Sequence, residues 1–101
     1  MALLAASAKE SIVRTNQILV SGISGTTIDV ASVIATSDTA GTVELFSATE
    51  SRFPIFLAID GTPQFVAPLG QFLFSCVDGD DLTFTSDIAS DYFIHVLYQQ
   101  E

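Results

Sequence analysis

From Ile18 onward, short runs of β-branched and aromatic residues alternate with clusters that break regular structure. Thr26–Ile34 is the clearest run, with Ile28, Val30 and Ser32 falling on one side and Thr27, Asp29, Ala31 and Val33 on the other. Successive side chains of a strand point to opposite faces, so this alternation predicts a strand. Thr42–Ser47 repeats it, with Val43 and Leu45 inward and Glu44 outward. Phe53–Ile59 carries Pro54 near its start, where a residue without an N–H is tolerated in a ladder. The punctuation lies at 21–25, at 36–41, at Asp60-Gly61-Thr62-Pro63 and at Asp78-Gly79-Asp80-Asp81. These residues tolerate or preset unusual backbone angles. Roughly seven or eight short strands at intervals of about 8–12 residues predict an all-β antiparallel sandwich or small barrel.

A length of 101 residues bounds the chain to one domain. Residues 18–101 are assigned to that domain. Residues 1–17 begin with Ala and Leu, which favour helix, but an isolated helix of this length is marginal in water. They are expected to form an N-terminal arm, part helical or extended, lying on the body or on a partner. Gln71–Val77 and Leu82–Ser86 are expected to make a hairpin around Asp78–Asp81. That pairing puts Leu73, Ser75, Val77, Leu82 and Phe84 on a core face, and Phe72, Phe74, Cys76, Thr83 and Thr85 on the other.

The last strand carries the main functional hint. In Tyr92–Tyr98, one face holds Tyr92, Ile94, Val96 and Tyr98, and the other holds Phe93, His95 and Leu97. A strand of a small sandwich needs only one apolar face, because the other meets water. The whole chain is 49% hydrophobic with a mean hydropathy of +0.50. More apolar surface than one small domain can hide marks an interaction surface. Leu3, Leu4, Phe72, Phe74, Phe93, His95 and Leu97 are the candidate contacts with a partner.

Charge narrows the partners. Twelve acids against three bases give a net charge of −9. The bases, Lys9, Arg14 and Arg52, all lie in the first half of the chain, so no basic cluster is available to displace phosphate counterions. Nucleic acid and anionic membranes are therefore excluded as expected partners. No apolar run approaches the ~20 residues of a spanning helix. Met1–Ala8 lacks the positive start of a secretory signal.

Catalytic signals are weak. The single cysteine, Cys76, alternates with Phe72 and Phe74 and reads as a buried small hydrophobe. It forms no intrachain disulfide and anchors no cysteine-rich zinc site. His95 is the one histidine and sits mid-strand among aromatics, without a nucleophile motif near any serine. Asp78-Gly79-Asp80-Asp81 offers carboxylates but lacks the twelve-residue calcium loop and its distal glutamate. It reads as a turn whose like charges either open it or draw a cation. Gly22 and Gly25 are followed by no Lys-Ser/Thr, so no phosphate loop is expected. No enzyme activity and no cofactor are expected.

The order of segments resembles a known group. "TVELFSA" (42–48), "RFPIFLAIDG" (52–61), "LGQFLFSCVDGDDLTFTSD" (69–87) and "YFIHVLYQQE" (92–101) are similar to small β-sandwich virion proteins of tailed bacteriophages, among them capsid decoration (cement) proteins. The resemblance spans roughly residues 40–101 and rests mostly on strand patterning. It implies a jelly-roll-like antiparallel β-sandwich with an N-terminal arm, acting without catalysis. It further implies a homotrimer bound to a major capsid protein on the virion exterior, made in the host cytoplasm. A tail, fibre or carbohydrate-binding module of the same architecture is the alternative.

Overall fold

The computed structural model describes residues 3–59 and 61–101; Met1 and Ala2 of the expected arm, and Asp60 of the expected turn, lie outside the described residues. Nine strands follow in order: β1 (Leu4–Glu10), β2 (Arg14–Val20), β3 (Ile28–Ser37), β4 (Gly41–Ser47), β5 (Glu50–Leu57), β6 (Gln64–Val66), β7 (Phe74–Ser75), β8 (Leu82–Ser86) and β9 (Tyr92–Gln100). One sheet has the order β1-β9-β3-β6, with the short β7 also on β3, and the second has the order β2-β8-β4-β5. All pairings are antiparallel.

These pairings are nested. β1 joins β9, β2 joins β8, β3 joins β6 and β4 joins β5. Successive pairs alternate between the two sheets. This is the arrangement made when one long hairpin is rolled over itself, so the fold is a jelly-roll β-sandwich. Between the sheets lies a single core. Ile28, Val30, Val33, Ile94 and Val96 of the first sheet meet Val43, Leu45, Ile55, Leu82 and Phe84 of the second.

Where it is described, the segment 1–17 is extended and lies on the body as part of both sheets. β1 and most of β2 fall in this segment, and the two strands run as edges of opposite sheets. β1 pairs with β9 from Leu4↔Tyr98 to Glu10↔Tyr92. Ala6 and Ala8 pack against the core from this edge. The tertiary ladder overrides the helix preference of alanine, because a helix here would leave the rim of β9 unpaired. At the corner between β1 and β2, the Tyr92 hydroxyl donates to the Ile12 carbonyl at 2.9 Å and ties the corner to β9.

The expected hairpin at 71–86 does not form. β7 pairs with β3 in the first sheet, whereas β8 lies between β2 and β4 in the second. The segment between them therefore crosses from sheet to sheet. Cys76 and Leu82 are buried on either side of the crossing, but Ser75 and Val77 are exposed instead of entering the core. The crossing also keeps the aspartates apart. Gly25 N–H donates to Asp78 Oδ1 at 3.1 Å, Gly22 N–H donates to Asp81 Oδ1 at 2.6 Å, and the Ser47 hydroxyl donates to Asp80 Oδ2 at 2.8 Å. The charge crowding of a tight hairpin is thus relieved by protein donors, which are strong partners for carboxylates.

A register shift between Val30 and Ser32 changes the facing of β3. Before it, Ile28 and Val30 point into the core; after it, Val33 and Ala35 do. Ala31 is the extra residue of a β-bulge, which moves all later side chains to the opposite face. Val33 accordingly joins Val30 inside, against the simple alternation, and Ser32 and Ile34 turn outward.

Candidate assembly face

The bulge and the strand register compose the outer side of the first sheet in rows. Ala5 stands opposite Leu97, Leu97 opposite Ser32, and Ser32 opposite Val66. The next row runs Ser7, His95, Ile34 and Gln64, and the third runs Lys9, Phe93 and Thr36. Directly opposed residues share a face, so Phe93, His95 and Leu97 all lie on the side turned away from the core. Each is half-buried by its neighbours. Phe93 and His95 stack with ring centroids 6.2 Å apart.

At the Leu97 end, the loop after β6 rises beside this face and encloses a groove of about 340 Å³. Leu3, Leu97 and Ile34 supply its apolar walls, and Phe72 closes it on the loop side. Ser32 lies in it, only 7% exposed. Among the described residues, no Asp, Glu, Lys or Arg lines the groove. The loop itself holds a tight turn. Gln71 N–H donates to the Pro68 carbonyl at 3.0 Å, and Gly70 has φ of 81°. Glycine at the third position of such a turn supplies the positive φ that other residues resist. Leu69, at the second position, is held fully in solvent.

The candidate contact residues divide in two. Leu3, Phe72, His95 and Leu97 meet around the groove, and Phe93 extends the same face. Phe74 faces inward, where it stacks on Phe53 with centroids 5.6 Å apart and packs against the core. Leu4 shares the side of Tyr98 rather than the outer face, and it is exposed at the sheet edge. Ile34, Val66 and Leu69 were not among the expected contacts. Ile34 and Val66 owe their facing to tertiary pairing, but Pro68-Leu69-Gly70 carried a readable turn signal.

The acids sit away from the groove. Asp78, Asp80 and Asp81 cap backbone or hydroxyl donors at the sheet crossing. Asp87 accepts from Thr42 N–H at 2.8 Å, and Asp91 from the Ser11 hydroxyl. Near the Phe93 end, a smaller depression of about 260 Å³ gathers Lys9, Ser37, Asp38, Thr62 and Asp91.

Among the described residues, no group of His, Cys, Asp and Glu is arranged to hold a metal ion. His95 receives no carboxylate partner among the described residues, and its ring rests on Phe93. Burial pushes the Cys76 thiol up to about 11, with the Ser47 hydroxyl partly opposing the shift. A thiol so held stays protonated at neutral pH and is a poor nucleophile.

The class of protein that this defines is a jelly-roll β-sandwich whose outer sheet face bears a groove lined, among the described residues, by no charged side chain. No protein-family model matches the chain, and no curated protein matches it.

Proposed function

We propose that this protein is a non-enzymatic assembly subunit, and specifically a capsid decoration protein that stabilises a phage head through subunit contacts. The observation that carries the reading is the groove on the outer side of the first sheet, walled by Leu3, Ile34 and Leu97. That groove lies in a chain of net charge −9, yet among the described residues no charged side chain lines it. Apolar surface of this kind favours burial by about 25 cal/mol per Å², before the costs of association. The placement on a virion is supported by the segment pattern of residues 40–101, which is similar to that of phage decoration proteins.

The test is made on virions. Particles assembled with and without this chain are heated, and release of their DNA is followed by dye fluorescence. Particles lacking it should open at a lower temperature, and adding the purified protein back should restore them. Absence of the chain from purified particles would overturn the reading.

A second reading has one observation in its favour. The depression near Phe93 joins hydroxyls, carboxylates and an aromatic edge, the groups that hold a sugar ring. Under that reading the chain is a tail, fibre or carbohydrate-binding module. Binding of the isolated protein to a glycan array, lost on Asp91→Ala, would favour it over the decoration role.

A further inference from the structure

We propose that two copies of this chain pair through the outer side of the first sheet, each placing its Leu69 in the groove of the other. The inference rests on the reading of that face as an assembly surface, and it names the occupant. It sets a two-fold pair in place of the homotrimer implied by the resemblance.

Three observations point to a second copy. First, the face carries both halves of a contact. Leu69 is held fully in solvent by the Pro68–Gln71 turn, at the mouth of the groove that Leu3, Ile34 and Leu97 wall. Burying such a leucine removes apolar surface from water and favours the contact. A patch that holds both knob and hole is self-complementary, so each contact occurs twice about a two-fold axis.

Second, the charge pattern fits a partner of the same sign. Two chains of net charge −9 repel one another unless the acids stay off the contact. Among the described residues the groove lining holds none. Asp29 shares this sheet face beside Gln99, but it lies outside the groove and already accepts from the Ser75 hydroxyl at 2.6 Å and from Gln99 Nε2 at 3.2 Å. A basic partner would be met by carboxylates in the groove itself.

Third, the size sets the strength. Four strands of this length make a face on the order of 500 Å² in plane. That is the lower end of specific interfaces, so a reversible dimer of micromolar affinity is expected.

The experiment is sedimentation equilibrium of the full chain from about 1 to about 300 μM, a range that brackets that affinity. The wild type should fit a monomer–dimer equilibrium. Leu69→Asp and Leu97→Lys should each weaken self-association at least about tenfold, as expected for the centre of a contact. Thermal midpoints check that both remain folded; Leu69 is fully in solvent, so its replacement takes nothing from the core. Mixed together, the two variants should recover a dimer, because Asp on one copy then meets Lys on the other. A wild-type trimer, a wild-type monomer across the range, or a dimer indifferent to Leu69→Asp would each overturn the proposal. None of these results touches the assembly reading itself, which fails only if the chain is absent from particles.

Discussion

Phe93 and His95 lie ring over ring on the outer face of β9, with 7° between their planes. Two positions apart on a strand, they share a face, and their stack joins the row of Lys9 to the row of Ser7. Phe93→Ala removes an aromatic contact worth about 0.5–1.5 kcal/mol. Because Phe93 lies outside the core, the monomer should keep its fold, and the thermal midpoint should fall only slightly. Self-association should weaken several-fold in the same sedimentation experiment. An unfolded variant would show that the ring supports the sandwich itself.

Gly22 N–H donates to Asp81 at 2.6 Å, and a side chain added at Gly22 would clash with the Gly79 carbonyl oxygen. The loop after β2 is thus locked against the sheet crossing. Asp81→Ala should cost about 1.5–3 kcal/mol, the range for a hydrogen bond to a charged group. Gly22→Ala should cost at least as much, through the clash. Urea unfolding of each variant measures both. Since the aspartates at 78, 80 and 81 already have protein donors, millimolar calcium should leave the thermal midpoint unchanged. A rise on adding calcium would show that the cluster holds a cation after all.

Cys76 gives a pH dependence with a definite sign. Its pKa is raised by burial from 9.0 to about 11. The folded state therefore keeps the thiol proton over a pH range in which the unfolded state loses it. Stability from this source is fully present below pH 9 and declines as pH climbs toward 11. The loss amounts to about 3 kcal/mol across that window. Burial raises the Tyr92 hydroxyl in the same direction. Urea midpoints at neutral and alkaline pH, compared between wild type and Cys76→Ala, isolate the thiol. The substitution should flatten the alkaline decline; an unchanged slope would assign it to the tyrosine.

Deletion of Ala31 tests the bulge. The register of β3 against β9 shifts between Val30 and Ser32. Without the extra residue Ser32 follows Val30 directly, so plain alternation keeps Val33 and Ala35 inward and Ser32 and Ile34 outward. The deletion variant should therefore fold, with a thermal midpoint close to that of the wild type. Loss of cooperative unfolding in circular dichroism melting would show that β3 needs the bulge itself to meet β9.

Strand content was legible because period-two alternation and turn residues are local signals. Val43 and Leu45 were placed inward with Glu44 outward, and both apolar residues are in the core. The facing of β9 was likewise readable, since Tyr92, Ile94, Val96 and Tyr98 are buried as their alternation requires. Other placements depended on partners. Ala-rich β1 reads as helix until β9 offers it a ladder. Phe74 reads as an outer residue until β7 is seen to pair with β3 rather than β8, which turns its ring onto Phe53.

By itself the sequence determined an all-β chain, its main turn positions, the inward face of the last strand, and an excess of apolar side chains over what one face needs. Tertiary structure decided which strands are neighbours, that Ala31 bulges, and that Leu3, Ile34, Leu97 and Phe72 converge on one uncharged groove. The physical reason is range. Alternation and turn chemistry act over a few residues, whereas the groove is assembled by nested pairings that join the two ends of the chain.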